Sequence, residues 1–377
     1  MLYLDNAATT PVRREVLEAM TPYLTRSFGN PSSHHTVGEE AARALDDARA
    51  RVARVLGMRA GDVVFTSGGT EADNLAVKGI AIAARLNRDA RHVVTLPIEH
   101  EAVLQSVEYL QRVHGFDATL VPVDAAGRVD PAAVAAALRD DTALVSIGYA
   151  NNEVGTVQDV AAIAAECRAR GVPLHLDAVQ AAGWLPLSGT GADALSIAGH
   201  KIGAPKGIGA LAVRGRIPLE PLVHGGGQER GRRSGTENVA GAVALAVALE
   251  LADAEREEDA ATVAALRDAF IARVLSAVPQ AQLTGDPVHR LPCTASFTFA
   301  GTSGEAVLLE LERRGVVSSS GSACAAGADE PSHVLTAMGV DRETAQTSVR
   351  FTLPHGWRQS LDPVADAVAA AVAAVTG

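Results

Sequence analysis

Short apolar runs alternate with longer Ala-rich stretches between about residues 40 and 215, and Gly, Pro or Asp bounds most of the runs. This alternation predicts an α/β fold, in which helices connect the strands of one sheet. Several runs show little polar alternation, as expected for strands that helices cover on both faces. The strand candidates are Asp62–Thr66, His92–Leu96, Thr119–Val123, Ala143–Ile147, Pro173–Leu176, Ala194–Ile197 and Gly209–Val213.

The stretches between these runs read as helices, and the pattern changes beyond residue 237. Residues 237–278 read as one long helix with a charged centre at 255–259, which could bridge two domains. At roughly 150 residues per domain, a chain of 377 residues fits two domains, the second a smaller α+β unit. The other predicted elements are helices Glu71–Arg85, Glu101–His114, Pro131–Leu138, Val160–Arg170, Gly304–Gly315 and a terminal helix, and strands Ala295–Phe299 and Ser348–Thr352.

Charge and cysteine content exclude several classes of protein. The net charge of −11 disfavours a nucleic-acid binder that acts through its overall charge. The three cysteines, Cys167, Cys293 and Cys324, are too few and too scattered for a disulfide framework or a spaced zinc site. The first residues lack the pattern of a secretion signal, and no apolar tract reaches about 18 residues. We therefore expect a cytoplasmic protein with no membrane span and no metal.

The segment Thr66–Glu71 lies between a predicted strand and a predicted helix. Its two glycines allow a tight turn, after which the N–H groups of the first helical turn can bind an anion such as phosphate. The hydroxyl of Thr70 would be an additional donor. The alternative is an ordinary turn, capped by Thr70 and with Glu71 in the first helical turn.

Two further residues follow predicted strands. Asp177 ends an apolar strand, where a carboxylate could meet a ligand and keep a heterocyclic nitrogen protonated, although such a residue is commonly a turn former. Lys201 lies in a Gly/Pro-rich loop, where it could form a Schiff base with a carbonyl cofactor if desolvation or a cationic neighbour such as His200 lowered its pKa. The alternative for Lys201 is a solvated surface charge.

A stretch of small residues from Ser319 to Pro331 carries Cys324. Because no aliphatic side chains surround this thiol in the sequence, we expect it to be accessible and able to act as a thiolate, or else to be incidental. By contrast, Cys167 lies in a predicted helix and Cys293 precedes a predicted strand, so both read as buried or semi-buried residues.

The order and spacing of these features resemble fold type I enzymes that use pyridoxal 5'-phosphate (PLP). Within that class the chain is similar to the cysteine desulfurases, in particular to the group with a long Gly-Ser-Ala-Cys loop. The matching segments span nearly the whole chain in family order. They are Tyr3–Pro11, Gly29–His34, Ser67–Asn74, Asn151–Thr156, His200–Lys201, His224–Gly231, Arg233–Thr236, Gly321–Cys324 and Glu330–Leu335.

The resemblance implies a large PLP-binding domain with a mostly parallel seven-stranded sheet between helices. We expect this domain at residues 14–258. Residues 1–13 and 259–377 would form the smaller α+β domain, which carries the cysteine loop at about 318–330.

The resemblance also implies which residues hold the cofactor. Lys201 would form the Schiff base, Asp177 would contact the pyridine nitrogen, and His100 would stack on the ring and take part in proton transfer. Gln180 and Asn152 would bind the phenolic oxygen. The phosphate would be held by Gly69, Thr70 and His200, with Thr236 of a partner subunit, which implies a homodimer.

The implied reaction removes sulfur from L-cysteine, giving L-alanine and a persulfide on Cys324. Arg350, with Asn152, would bind the substrate carboxylate. The sulfur would pass to an acceptor, in iron-sulfur cluster assembly or in tRNA or cofactor thiolation. The alternatives are a selenocysteine lyase, an aminotransferase, or a PLP-binding scaffold that has lost activity. The presence of both Lys201 and Cys324 argues against the last.

The chain departs from the family pattern at two places. Ala198 stands where many relatives have a serine that helps to hold the phosphate. Pro354–Trp357 replaces the usual Gly-Arg after the substrate-binding arginine, which leaves the local shape beside Arg350 open.

Overall fold

The fold is built on a seven-stranded sheet with the strand order β2-β8-β7-β6-β5-β3-β4. The structure, a computed structural model, describes residues 1–320 and 331–376. Strands β3 to β7 are parallel, whereas β8 is antiparallel to both of its neighbours. The strands are β2 (Val63–Thr66), β3 (His92–Thr95), β4 (Asp117–Leu120), β5 (Thr142–Gly148), β6 (Leu174–Asp177), β7 (Ala194–Ala198) and β8 (Gly209–Val213). The predicted α/β fold with a mostly parallel sheet is confirmed.

Helices pack on both faces of this sheet. The predicted helix 71–85 is part of a longer one, in which α3 and α4 are joined by a π-helical stretch at Leu75–Gly79. The other predicted helices are present with small shifts at their ends. The bounds are α1 (Arg14–Thr25), α2 (Thr36–Leu56), α3 (Gly69–Asn74), α4 (Ile80–Arg88), α5 (Glu101–His114), α6 (Pro131–Ala137), α7 (Val160–Ala169) and α8 (Val239–Ala277).

One predicted strand, Thr119–Val123, is displaced in the structure. The observed β4 starts at Asp117 and pairs with β3 from His92↔Asp117 to Thr95↔Leu120. Since β4 is the edge strand and partly exposed, its residues need not be apolar, and the apolar pattern therefore misplaced it. Pro122, which lacks an N–H, also disfavours a longer strand.

A second group of elements lies beyond the middle of α8. Strands β12, β10 and β9 form an antiparallel sheet, and β1 pairs with β11 in parallel. The β1–β11 pairing brings the N-terminal residues to the C-terminal part of the chain. The bounds are β1 (Leu2–Tyr3), β9 (Ala281–Leu283), β10 (Thr294–Phe299), α9 (Gly304–Arg313), β11 (Val316–Val317), α10 (His333–Ala337), α11 (Arg342–Ala345), β12 (Val349–Thr352) and α12 (Asp362–Thr376).

Helix α8 contributes to two hydrophobic cores. Its first part, up to Ala252, packs in the core on one face of the large sheet. Its second part, from Val263, packs with Leu4, Phe297 and Phe351 in the core of the smaller unit. These two cores support the division into 14–258 and 1–13 with 259–377, which stays a prediction.

Across residues 1–320 and 331–376, the structure contains no helix with the length and apolar character needed to cross a membrane.

Cys167 and Cys293 are both buried, in agreement with the sequence analysis. Burial raises the pKa of the Cys167 thiol to about 12 and that of Cys293 to about 11, so both thiols are protonated at neutral pH.

Candidate active site

A cavity of about 510 Å³ lies at the carboxyl ends of the parallel strands. This edge is where ligands bind in open α/β sheets. Most of the residues proposed from the sequence line this one cavity, although they come from distant parts of the chain. They are Gly69, Thr70, His100, Asn152, Asp177, Gln180, His200, Lys201 and Arg350.

The turn between β2 and α3 forms one wall of the cavity. Helix α3 begins at Gly69, and no side chain caps its N-terminus at Gly68. A Cβ on Gly69 would lie 2.8 Å from Cγ2 of Val179, so a larger residue there would have to displace Val179. The carboxylate of Glu71 accepts hydrogen bonds from Ser67 N (2.7 Å) and Arg233 Nε (2.8 Å). Glu71 therefore fixes the turn, while the exposed Thr70 is available to a ligand.

Asp177 ends β6 and lies among buried acids. Its Oδ1 accepts a hydrogen bond from Val179 N (2.9 Å), the contact of a turn-forming Asp. The pKa of Asp177 is raised overall, because burial raises it and His100, the Val179 N–H and Lys201 offset only part of that effect. Burial raises the pKa values of Asp73 and Glu99 well above the usual carboxyl range, and no lysine lowers the pKa of either group. Of the three carboxyl groups, Asp177 is therefore the one whose charged form its neighbours favour most.

Lys201 follows β7 in a single 3-10 turn, Gly199–Lys201. Its Nζ donates hydrogen bonds to the carbonyl oxygens of Ala8 (2.8 Å) and Ala7. Gln180 Nε2 also donates to Ala7 O (3.1 Å). The N-terminal segment therefore closes one side of the cavity and orients the lysine, so Lys201 is not a solvated surface charge.

His200, which precedes the lysine, is neutral. Burial, followed by the charges of Lys201 and Lys206, lowers the pKa of His200 to about 4. Its Nδ1 lies 3.1 Å from Thr9 Oγ1. The sequence-based suggestion that His200 acts as a cationic neighbour of Lys201 is therefore wrong, because a partly desolvated ring beside two lysines does not hold a proton at neutral pH.

His100 lies at the N-terminus of α5. Its Nδ1 accepts a hydrogen bond from Ala102 N (3.1 Å) and so caps that helix. A neutral imidazole that accepts at Nδ1 carries its hydrogen on Nε2. Helix capping thus fixes both the orientation and the tautomer of this ring.

Arg350 is buried on β12 and reaches the cavity from the smaller unit. Its Nη2 donates to Asp5 Oδ1 (2.6 Å) and its Nη1 donates to Asn152 O (2.9 Å). The guanidinium is therefore held beside Asn152, a second residue proposed to bind substrate.

Among the described residues, the proposed Thr236 does not line the cavity of its own chain. Thr236 is exposed and precedes α8. Cys324 lies outside the described residues. However, the chain on each side of its loop is attached to the site. Ser319 pairs with Arg350, its carbonyl oxygen accepting from Arg350 N (2.7 Å), and His333 Nε2 lies 3.0 Å from Glu99 O.

Several residues of the site were missed in the sequence. The carbonyl groups of Ala7 and Ala8 act through the backbone, which no side-chain pattern reveals. Asp73 lies within the matched segment 67–74 and Glu99 immediately precedes His100, but the burial of both depends on the elements packed around them. Asp5 belongs to the matched segment 3–11, but its pairing with Arg350 is a tertiary contact.

The two departures from the family pattern have different surroundings. Ala198 is buried, and its Cβ lies 3.2 Å from the position of a Cβ on Gly69. His355 stacks on Trp184, with ring centroids 3.9 Å apart, and its Nδ1 lies 3.4 Å from Asp259 Oδ2 on α8. The segment 354–357 therefore ties the end of β12 to α8, outside the residues that line the cavity.

Comparison with known families agrees with this fold. The sequence model of the Aminotransferase class-V family matches residues 2–360. The chain belongs to the aminotransferase class-V family, a family of PLP-dependent fold type I enzymes.

Its relatives narrow the family further. The chain is 45% identical over 354 residues to a cysteine desulfurase IscS of Dictyoglomus turgidum, covering 93% of this chain and 89% of the relative. It is 47% identical over 361 residues to an IscS-like cysteine desulfurase of Mycobacterium tuberculosis, covering 94% and 92%. The solved structure of a NifS-like protein superposes with a TM-score of 0.88 at 36% identity, covering 98% of each chain. The chain is a member of the cysteine desulfurases, as predicted, and the aminotransferase and selenocysteine lyase alternatives are not supported.

Proposed function

We propose that the chain binds PLP through Lys201 and uses it to transfer sulfur from L-cysteine to Cys324. The observation that carries this proposal is the convergence of Lys201, Asp177, His100 and Arg350 on one cavity. A lysine, a carboxyl group, an imidazole and a guanidinium are the groups needed to hold a pyridine aldehyde and an amino acid substrate.

The donor set of the cavity fits PLP. The uncapped start of α3 and the exposed Thr70 suit a phosphate, and Gly69 gives the backbone its close approach. His200 is neutral and so would donate one hydrogen bond without adding charge. Gln180 and Asn152 line the cavity and would contact the phenolic oxygen. When bound, PLP supplies the electron sink that activates the bonds at the substrate carbon atoms.

Asp177 would keep the pyridine nitrogen protonated. For this it must be anionic, and the contacts with His100, Val179 N and Lys201 favour its charged form. Asp73 and Glu99 lack that compensation. Of these three carboxyl groups, Asp177 would therefore be the one that presents a negative charge to the ring nitrogen.

Arg350 would bind the substrate carboxylate by exchange. Its guanidinium is bonded to Asp5 Oδ1 and Asn152 O, so the buried cation is already paired. A substrate carboxylate would replace the Asp5 contact with a bidentate one. This exchange avoids leaving a buried charge unpaired when substrate departs.

His100 and Lys201 would move protons at the substrate. The Nδ1 of His100 accepts from Ala102 N, and Nε2 is the atom at which the ring would donate. Lys201 Nζ would accept and return a proton once the substrate amine has replaced the lysine on the cofactor. Two positioned groups can thus serve different protonation steps.

The thiolate of Cys324 would attack the substrate sulfur. The new S–S bond forms as the C–S bond breaks, and the electron pair of the C–S bond stays with the carbon, which gains a proton and leaves as alanine. The described residues on both sides of Cys324, Ser319 and His333, contact Arg350 and Glu99 at the cavity, which supports this role for Cys324. The persulfide would then pass to an acceptor protein or an iron-sulfur scaffold.

Thr236 would complete the phosphate site of a second subunit in a homodimer. It is exposed, and it does not line the cavity of its own chain.

We also propose the cytoplasm as the place of action, since free thiols such as Cys167 and Cys293 suit a reducing compartment.

The decisive experiment compares Cys324→Ser with Lys201→Ala. Purified protein is given L-cysteine with a thiol reductant, and alanine, sulfide and keto acid are measured. Cys324→Ser should retain the cofactor's visible absorption and release no sulfide. Lys201→Ala should lose the absorption of covalently held PLP. Keto acid in place of alanine would instead indicate an aminotransferase, and undiminished sulfide release by Cys324→Ser would refute the nucleophile.

A further inference from the structure

The loop from His224 to Thr236 contains two consecutive non-glycine residues with left-handed backbone conformation. Glu229 has φ 50° and Arg230 has φ 59°. Residues other than glycine rarely adopt such values, and they persist where surrounding contacts hold them. The loop is therefore held in a conformation that its own sequence does not favour.

A buried ion pair holds this loop. Both carboxylate oxygens of Glu229 are bonded to Arg49 of α2, Nη1 to Oε2 at 2.5 Å and Nη2 to Oε1 at 2.9 Å. The side chains of Arg49 and Glu229 are 5% and 2% exposed. A bidentate pair at this depth is costly to separate, because either charge alone would be left buried.

The pair is attached to the edge of the large sheet. Strand β2 is an edge strand, with β8 as its neighbour on the other side. On the open side, Val63 O accepts from Arg49 Nη1 (2.9 Å) and Phe65 N donates to Glu229 Oε2 (3.2 Å). The ion pair thus takes the positions that a further strand would occupy.

Glu229 and the exposed Thr236 are linked through a hydrogen bond between their preceding residues. The neighbouring Gln228 accepts at Oε1 from Gly235 N (2.8 Å). Arg233 donates to Glu71 of the turn before α3 (2.8 Å). The residue immediately before Thr236 is therefore bonded to the residue immediately before Glu229.

We propose that Arg49 and Glu229 are positioning residues that hold the loop 224–236 in the conformation in which Thr236 reaches the cofactor phosphate of the partner subunit. We call the Arg49–Glu229 ion pair the clamp. The clamp is buried within its own chain, but it acts on the site of the other subunit. This inference rests on the proposed function, since it requires the contact of Thr236 with the partner's PLP.

The competing explanation is an effect within the same subunit. Arg49 and Glu229 also contact β2, which leads into the turn at Ser67–Thr70. On either explanation a Glu229→Ala homodimer should need about ten-fold more PLP for half-saturation, the effect of losing one hydrogen bond to a charged group. Homodimers therefore do not separate the two explanations.

Mixed dimers do separate them. Two differently tagged chains, one with Glu229→Ala and one with Lys201→Ala, are co-expressed and the mixed dimer is isolated by tandem affinity. PLP is titrated and its lysine-dependent visible absorption is followed. That absorption comes from the Glu229→Ala chain, whose site receives Thr236 on the intact loop of the other chain. We expect wild-type half-saturation, and a value equal to that of the Glu229→Ala homodimer would overturn the proposal.

A reference pair distinguishes failure of the clamp from failure of the dimer contact. Thr236→Ala is combined with Lys201→Ala in the same way. If the mixed dimer with Thr236→Ala recovers wild-type half-saturation and the mixed dimer with Glu229→Ala does not, the clamp is refuted and the dimer contact stands. If neither recovers, the contact in trans is refuted and the clamp inference falls with it.

Two further variants serve as controls, one for loss of folding and one for specificity. Gln228→Ala cuts the link to Gly235 and leaves the ion pair intact, so it takes the place of Glu229→Ala if that chain is insoluble, with the same deciding outcomes. Arg14→Ala removes the exposed ion pair with Glu18, whose side chains are 88% and 62% exposed. It should leave PLP half-saturation unchanged, and a loss there equal to that of Glu229→Ala would refute a specific role for the buried pair.

Discussion

Replacing Gly69 by alanine should weaken both the fold and PLP binding. The added Cβ would lie 2.8 Å from Val179 Cγ2 and 3.2 Å from Ala198 Cβ. Overpacking of this kind costs about 1–3 kcal/mol. Alanine recovers part of roughly 0.5–1 kcal/mol through its better helix propensity. We expect a net loss of about 1–2 kcal/mol in the free energy of unfolding.

The loss should extend to the cofactor because of where Val179 lies. Its N–H is bonded to Asp177 Oδ1, so a displaced Val179 shifts the carboxylate proposed for the pyridine nitrogen. A loss of about 1–2 kcal/mol in binding corresponds to a five- to thirty-fold higher half-saturating PLP concentration. Urea denaturation of the cofactor-free protein and PLP titration measure the two effects separately.

Two variants serve as controls for this prediction. A Cβ on Gly68 would meet no atom within 4 Å, so Gly68→Ala should leave the free energy of unfolding unchanged. Gly69→Ala combined with Val179→Ala removes the 2.8 Å contact and should recover most of the stability. Equal stability of Gly69→Ala and Gly68→Ala would refute the packing argument.

Three other changes have defined outcomes. Burial raises the pKa of Glu99, so the stability that the protonated Glu99 contributes is full below the pKa of the unfolded chain, near 4.5, and is lost as pH rises. Glu99→Gln should therefore be more stable relative to wild type above that pH. Urea denaturation at several pH values measures this difference. Arg350→Lys loses the bidentate fork and should raise the KM for cysteine about ten-fold or more, with a smaller change in kcat, in steady-state alanine assays. Ala198→Ser restores a hydroxyl beside the phosphate turn and should lower the half-saturating PLP concentration by about three- to ten-fold in a PLP titration; an unchanged value would show that Ala198 does not limit retention.

The sequence predicted the central strands better than the edge of the sheet. Strands such as β5 and β7 are covered on both faces, so burial imposes an apolar run that can be read directly. Strand β4 is half exposed and carries no such constraint, which is why its predicted position was wrong. The reversal of β8 was equally unreadable, because an antiparallel and a parallel buried strand have the same composition.

The residue types and order in the chain by themselves determined the α/β class and most of the candidate site. Gly, Asp and Lys at the ends of apolar runs can be recognised because each reflects a local backbone or chemical requirement. Tertiary structure alone decided which groups are charged and which contacts hold them. Lys201 meets Ala8 across 193 residues of sequence, His200 loses its proton through burial, and Arg49 joins Glu229 across 180 residues. Desolvation and long-range pairing depend on neighbours in space, and no local pattern in the sequence records them.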